Sequence, residues 1–152
     1  MKAVLQRVKH SEVKIEGELV GACGEGLMIL LGVAAGDSEA DADVLAAKIL
    51  KMRIFSDEAG KMNRSVMDIE GEALIVSQFT LLANYVHGNR PDYLASEKPE
   101  RANQLYEYFV SVMRKSLRRV ETGRFGADME VTIVNDGPVT IVADSKELIR
   151  SR

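Results

Sequence analysis

Two short segments carry side chains whose grouping could do chemistry. Ser77-Gln78-Phe79-Thr80 follows the apolar run Ala73 to Val76. Three hydrogen-bonding side chains at the end of a buried strand are costly unless they are paired or face a cleft. The segment therefore reads either as a strand that surfaces or as the floor of a polar pocket. The second segment, Asn135-Asp136-Gly137-Pro138-Val139-Thr140, gathers residue types that turns select, and a hairpin turn is its simpler reading. Yet Pro138 opens an apolar strand, and an X-Pro bond can be cis at modest cost, about 0.5 to 1 kcal/mol. A cis bond would turn neighbouring carbonyls the same way and make the turn a rigid probe.

The remaining inventory is sparse. His10, between Lys9 and Ser11, reads as part of a polar turn, and His87, in Asn84-Tyr85-Val86-His87-Gly88-Asn89, as a surface-loop residue rather than a base. Cys23, beside Gly21, Ala22 and Gly24, reads as a small packing residue rather than a nucleophile. There is no Cys-x-x-Cys, His-Glu-x-x-His or glycine-rich phosphate loop. A zinc site needs about four ligands at suitable spacing, so neither a metal nor a cofactor is expected.

These residues need a scaffold, and the composition allows one domain over residues 1–152. A chain of 152 residues with 46% hydrophobic side chains buries about 68 to 70% of its unfolded surface, enough for a core without staples. Its lone cysteine and the absence of a basic-then-apolar leader at Met1-Lys2-Ala3 suggest a reducing, cytoplasmic setting. The apolar run Leu27 to Ala35 falls short of the roughly 18 residues of a membrane span. Twenty basic against 23 acidic residues give a net charge of -3, which argues against coating nucleic acid by bulk electrostatics.

Strands are expected over Ala3 to Val8, Glu12 to Ile15, Glu18 to Ala22, Leu27 to Gly32, Ala73 to Leu82, Met129 to Val134 and Val139 to Ala143. Leu27 to Val33 and Leu74 to Val76 are apolar on both faces, as in a strand covered on each side. Glu16-Gly17-Glu18 and Glu70-Gly71-Glu72 look like hairpin turns. One helix should start at the Ser38 cap, with Asp41 three residues later, and run through Met52. A second should follow Pro99, with Ala102, Leu105, Tyr106, Phe109, Val110, Met113 and Leu117 in one stripe and Arg114, Lys115, Arg118 and Arg119 on a basic, solvated back. Strands in runs with two main helices predict an α+β domain with a mostly antiparallel or mixed, barrel-like sheet.

With both segments in view, the sequence resembles the D-aminoacyl-tRNA deacylases, formerly D-tyrosyl-tRNA deacylases. Ser77-Gln78-Phe79-Thr80-Leu81 and Asn135 to Thr140 look like that family's paired signatures. Gln6-Arg7-Val8, Leu30 to Val33, Arg53-Ile54-Phe55, Gly60 to Asn63, Arg90-Pro91 and Thr122 to Met129 extend the likeness almost end to end. Asp92-Tyr93-Leu94 stands where many relatives have Ser-Phe, and Arg64 where an aliphatic residue is common.

The resemblance implies a cytoplasmic homodimer that hydrolyses the ester between a D-amino acid and the terminal adenosine of tRNA, and that also removes glycine mischarged onto alanine tRNA. Neither membrane nor DNA is an expected partner. The active site would lie between subunits, with Ser77, Gln78, Phe79 and Thr80 lining the pocket of one and Gly137-Pro138, cis in the family, inserted from the other to reject L-amino acids.

An activated ester needs chiefly a positioned water and oxyanion donors. Thr80 has no base beside it in the motif, so the expected roles are positioning by Thr80 and Gln78, oxyanion donation by amides near Phe79 and Thr80, and assistance from the ribose 2′-hydroxyl. Phe79 either stacks on the terminal adenine or packs in the core. Two rivals from other classes stay open: a small oligomeric metabolite-binding protein, and a tRNA-binding module without turnover.

Overall fold

Alternating apolar and polar residues from Lys2 onward build one long strand, β1 (Lys2–Ile15), where two were expected. The computed structural model describes residues 1–150, so the last two residues of the expected 1–152 domain lie outside the described residues. Glu16 and Gly17, both at positive φ (50° and 82°), turn β1 into β2 (Glu18–Cys23), the two-residue connection whose backbone suits strand twist. β3 (Gly26–Gly32) follows and pairs with the first half of β1.

Ser38 then starts α1 (Glu39–Lys51), its N–H donating to the Asp41 carboxylate at 2.9 Å as the cap pattern predicts. Two short strands that periodicity could not reveal, β4 (Phe55–Ser56) and β5 (Met62–Arg64), form a separate ribbon. Glu70-Gly71 is not a hairpin. It closes a turn in which Gly71 N–H donates to the Val66 carbonyl, and it leads into β6 (Glu72–Ser77).

The strand expected through Leu82 stops at Ser77, and Phe79–Leu82 coil into one turn of 3-10 helix. α2 (Pro99–Arg114) is as expected, although its last stripe residue, Leu117, is buried beyond the helix end. A three-residue β7 (Val120–Thr122) precedes β8 (Glu130–Asp144), which joins both predicted C-terminal strands, and a short α3 (Ser145–Arg150) completes the chain.

The result is an α+β fold on a mixed sheet ordered β2-β1-β3-β6-β7, with β8 along the other edge of β1. β3 pairs with β6, and β6 with β7, in parallel; the other ladders of this sheet are antiparallel. Leu27, Ile29, Leu31, Ala73 and Ile75 face α1 and α2, packing on Leu45, Ile49, Leu105 and Phe109. Met28, Leu74 and Val76 face the opposite way, onto Val8, Val13 and Cys23. β3 and β6 are thus covered on both faces, as their unbroken apolar runs require. At the start of β1 the Met1 ammonium pairs with Asp37 at 2.7 Å and donates to Ser145 Oγ, whose hydroxyl donates to Asp41.

The sheet curls until β2 meets β7, nearly closing a barrel. No ladder joins them. Instead Ala22 N–H donates to Glu121 Oε1 at 2.9 Å, and Gly21 leaves room for the Thr122 carbonyl, which would lie 2.3 Å from an added Cβ. Because that neighbour is backbone, it cannot swing away. Gly21→Ala should therefore lower stability by about 1 to 3 kcal/mol, the usual cost of overpacking. The measurement is a urea titration: the midpoint should fall with little change in slope, and an unshifted midpoint would mean that β2 and β7 do not touch.

Candidate active site

The shape of the polar segment depends on a side chain that is missing from β3. An added Cβ on Gly32 would lie 2.9 Å from the Gln78 carbonyl oxygen and 2.7 Å from Leu82 Cδ2. With hydrogen there, the chain can leave the sheet at Ser77 and turn tightly over the end of β3, with Gln78 N–H donating to the Leu31 carbonyl at 2.8 Å. Ser77, Gln78 and Thr80 are half-buried, and Gln78 Nε2 donates to Thr80 Oγ1. The N–H groups of Phe79 and Thr80 precede the first bond of the turn, Leu81 N–H to Gln78 O, so the turn itself supplies them no acceptor. The Phe79 ring is 57% exposed, with its face or edge held against Tyr93 at 4.9 Å and 74°. Phe79 is therefore not a core residue.

Among the described residues no base is hydrogen-bonded to the Thr80 hydroxyl. His10 sits on β1 rather than in a turn, exposed and 3.7 Å from Glu12, and His87 lies on an exposed loop as expected. Cys23 is buried, and burial together with the nearby Glu72 carboxylate pushes its thiol up to about 11. It is a packing residue, uncharged at neutral pH. Among the described residues no three His, Cys, Asp or Glu side chains are grouped to hold a metal ion.

The second segment is not a hairpin either. Gln6 pairs with Thr140 and Val8 with Asn135, so the single residue Arg7 on β1 stands opposite Asp136, Gly137, Pro138 and Val139 on β8. The surplus loops outward from a continuous strand, as an enlarged bulge, and Gly137 and Pro138 at its tip are exposed. The peptide bond between them is cis. Arg7 fills the base of this loop. Its Nε donates to the Asp136 carbonyl (3.1 Å) and lies 3.2 Å from the Asp136 carboxylate, its Nη2 donates to the Gly137 carbonyl (3.4 Å), and its Nη1 donates to the Ile54 carbonyl (2.9 Å). Asn135 Nδ2 closes the neck by donating to the carbonyls of Arg7 (2.9 Å) and Val139 (3.2 Å).

One chain does not bring the two segments together. Ser77 is level with Leu31 and Ala3, whereas the loop is level with Arg7. That separation is four residues, about 13 Å along the strands, and three strand spacings, about 14 Å, across the sheet. Nor does a cleft of about 560 Å³ between α2 and Thr122 to Phe125 include any residue of either segment.

Sequence reading passed over three residues that shape these parts. Arg7 carried a signal: it falls in phase with the inward-facing Ala3 and Leu5 of β1, where a charge must be paired. Asn135 was readable only as a turn residue, and Gly32 only as the end of a strand. The basic back of α2 is exposed as expected, but the helix ends at Arg114, short of Arg118 and Arg119, and three of the four cations have partners. Arg114 donates from Nε and Nη2 to the Val120 carbonyl, while Arg118 and Arg119 pair with Glu72, and Arg119 also with Glu121.

The chain is similar to known proteins. The chain is 55% identical over 144 residues to the D-aminoacyl-tRNA deacylase of Ruegeria pomeroyi, covering 95% of this chain and 99% of the relative. It is 54% identical over 148 residues to that of Aquifex aeolicus, covering 97% and 100%. A solved structure named c-Myc DNA unwinding element binding protein matches with a TM-score of 0.90 at 43% identity, over 95% of this chain and 98% of that one. A probable eukaryotic D-amino acid tRNA deacylase matches with a TM-score of 0.81 at 18% identity, over 94% and 98%, and bears on the fold alone. The family model described as D-Tyr-tRNA(Tyr) deacylase matches residues 4–144, and the chain belongs to that family of hydrolases.

Proposed function

We propose that Ser77 to Thr80 of one protomer and the Gly137-Pro138 loop of a second protomer close one site, in which the ester of D-aminoacyl-tRNA is hydrolysed. The observation that carries this reading is the loop itself. It is exposed, tied down at base and neck, and too far from Ser77 to Thr80 of its own chain to share a cavity with them. A homodimer would supply the missing half to each site. Charged tRNA as substrate implies work in the cytoplasm.

In this reading a water attacks the carbonyl carbon, the bond to the ribose oxygen breaks, and the proton passes to that oxygen, giving free amino acid and tRNA. Gln78 and Thr80 hold the substrate, and the N–H groups of Phe79 and Thr80 stabilise the oxyanion. Phe79, exposed and braced by Tyr93, offers a face to the terminal adenine. The Thr80 hydroxyl accepts a bond from Gln78 and, among the described residues, has no base to take its proton, which favours positioning over attack. The ribose 2′-hydroxyl then assists proton transfer.

Handedness is decided by the loop. Its carbonyls stand close to the substrate Cα, leaving room for hydrogen or a D-side chain and colliding with an L-side chain. Glycine has no side chain to reject, so glycyl-tRNA(Ala) is a substrate as well. A DNA duplex is not a proposed partner, since Arg114, Arg118 and Arg119 hold this chain's own carbonyl and carboxylates.

Incubation with D-tyrosyl-tRNA and L-tyrosyl-tRNA, following ester loss, tests the whole reading: the D-ester should disappear and the L-ester persist. Turnover of neither would leave a binding protein. Arg7→Gln removes most of the donors that tie the loop, and the ratio of D to L hydrolysis should fall at least about tenfold, equivalent to about 1.4 kcal/mol of discrimination. A ratio of rates is unaffected by how much of the variant folds, so an unchanged ratio would count against the loop. A D-tyrosyl-tRNA ending in 2′-deoxyadenosine, with its ester on the 3′-oxygen, should react about 100-fold more slowly or worse, as loss of a proton-transfer group predicts. Normal turnover would exclude the 2′-hydroxyl.

A further inference from the structure

Several basic residues of this chain already hold a partner. Arg7 is committed to the loop, Arg114 to a backbone carbonyl, and Arg118 and Arg119 to Glu72 and Glu121. Those last three lie near the start of β6 and at β7, the end of the sheet remote from Ser77. At the other end stand Lys2 and Lys146. Among the described residues neither ammonium group has a carboxylate within ion-pair distance or any hydrogen bond.

Both lysines line a cleft of about 360 Å³ whose apolar walls are Met1, Ala34, Ala35, Leu82 and Ala95. The Asp144 carboxylate also reaches the rim, where its Oδ1 accepts from the Lys146 backbone N–H at 2.9 Å. The position of this cleft matters more than its size. Lys2 is the direct partner of Gly32 across the β1 and β3 ladder, and Gly32 is the residue against which Gln78 and Leu82 pack. Leu82, the last residue of the 3-10 turn that carries Phe79 and Thr80, is itself a wall of the cleft. The cleft therefore adjoins the candidate active site through Leu82, with Lys2 one strand spacing, about 5 Å, from Gly32 and two from β6.

We propose that this cleft receives the sugar-phosphate backbone of the single-stranded 3′ end of tRNA, with Lys2 and Lys146 on its phosphates. The proposal rests on the reading of Ser77 to Thr80 as the place where the terminal nucleotide sits. Two unpaired cations beside that place match a polyanion that must leave it in some direction. The apolar walls suit ribose faces between phosphates. A chain with a net charge of -3 cannot hold RNA by its overall field, so local cations must do so, and of those without a partner Lys2 and Lys146 are the two that line this cleft.

The test compares the double variant Lys2→Gln, Lys146→Gln with Lys115→Gln, which removes a charge at the remote end of α2. Binding of uncharged tRNA is measured across a salt series, and hydrolysis is measured on D-tyrosyl-tRNA and on D-tyrosyl-adenosine, which has no phosphate. The double variant should bind tRNA about tenfold more weakly, with a log-log salt slope shallower by about 1.5 to 2, as loss of two phosphate contacts predicts. Its ratio of kcat/KM for the tRNA ester over the adenosine ester should fall by about the same tenfold, through KM. Lys115→Gln should leave slope and ratio within about twofold.

An unchanged slope would overturn the proposal, and so would equal losses on both substrates, which would mark a structural role. A shift in oligomeric state would overturn it too, by assigning the cleft to an interface between copies. If wild-type protein hydrolyses neither ester, the catalytic reading fails, while the salt slope still decides whether the lysines hold RNA.

Discussion

One buried guanidinium governs the geometry of the proposed site. Arg7 is only 8% exposed, and taking a cation out of water costs several kcal/mol. Its bonds to the carbonyls of Ile54 and Asp136, with a longer one to Gly137, and its pairing with Asp136 return about 1.5 to 3 kcal/mol for each well-formed contact. These contacts serve first to offset the cost of burial, and a gain in stability is not their main consequence. Arg7 fixes shape instead. A loop of four residues opposite one would otherwise be free to lean along the strand, and each donor of the planar fork removes one direction of that freedom. Ile54 lies between α1 and β4, so the loop is also tied to a part of the chain outside the sheet. Asn135 completes the restraint from the opposite side of the neck.

The contrast with Ser77 to Thr80 is instructive, because that segment is positioned by backbone close approach and not by charge. Gly32 lets the 3-10 turn sit on the end of β3, and the Gln78 and Leu31 hydrogen bond locks it there. Each half is thus rigid for a different reason, and neither depends on the other within one chain. Such independence suits a site assembled from two copies, where each half must be formed before they meet. In the proposed site no reactive side chain would be needed, because an activated ester is limited by placement, which the two halves would provide.

Much of this was legible in the sequence, and the failures have identifiable causes. The apolar runs at Leu27 and Ala73 marked β3 and β6 because strands covered on both faces lose their alternation. The caps at Ser38 and Pro99 marked both main helices. Periodicity alone could not tell a strand from a 3-10 turn after Ser77, since the decisive contact is with Gly32, forty-five residues earlier. Turn propensity likewise misread Asn135 to Pro138 as a hairpin, because the same residues serve a bulge that interrupts a strand without ending it. The basic residues around the end of α2 read as one solvated helical face; they are exposed, but two of them lie beyond the helix and three have partners. Their partners, Glu72, Glu121 and the Val120 carbonyl, lie on strands whose proximity no helical wheel contains. Arg7 was the readable signal that went unread: a charge in phase with Ala3 and Leu5 had to find partners inside.

The tip of the loop presents a last constraint, and it points outside the chain. Gly21 and Gly32 are glycine for reasons visible in the fold, where an added Cβ would strike backbone. At Gly137 a Cβ would meet only Asn135 Oδ1, at an ordinary 3.8 Å, and its φ is not in the left-handed region. Nothing within these 150 described residues demands the absence of a side chain there. In the proposed site the demand comes from the substrate. A hydrogen at Cα and the Cβ of an L-amino acid differ by one carbon, whose contact distance is about 3.5 to 4.0 Å. A surface that discriminates between them must therefore approach Cα with backbone atoms and must not retreat by even about 1 Å. A side chain at position 137 would hold that surface off and remove the collision on which rejection depends. The bare tip and the buried guanidinium beneath it are two parts of one requirement: close approach, and no recoil.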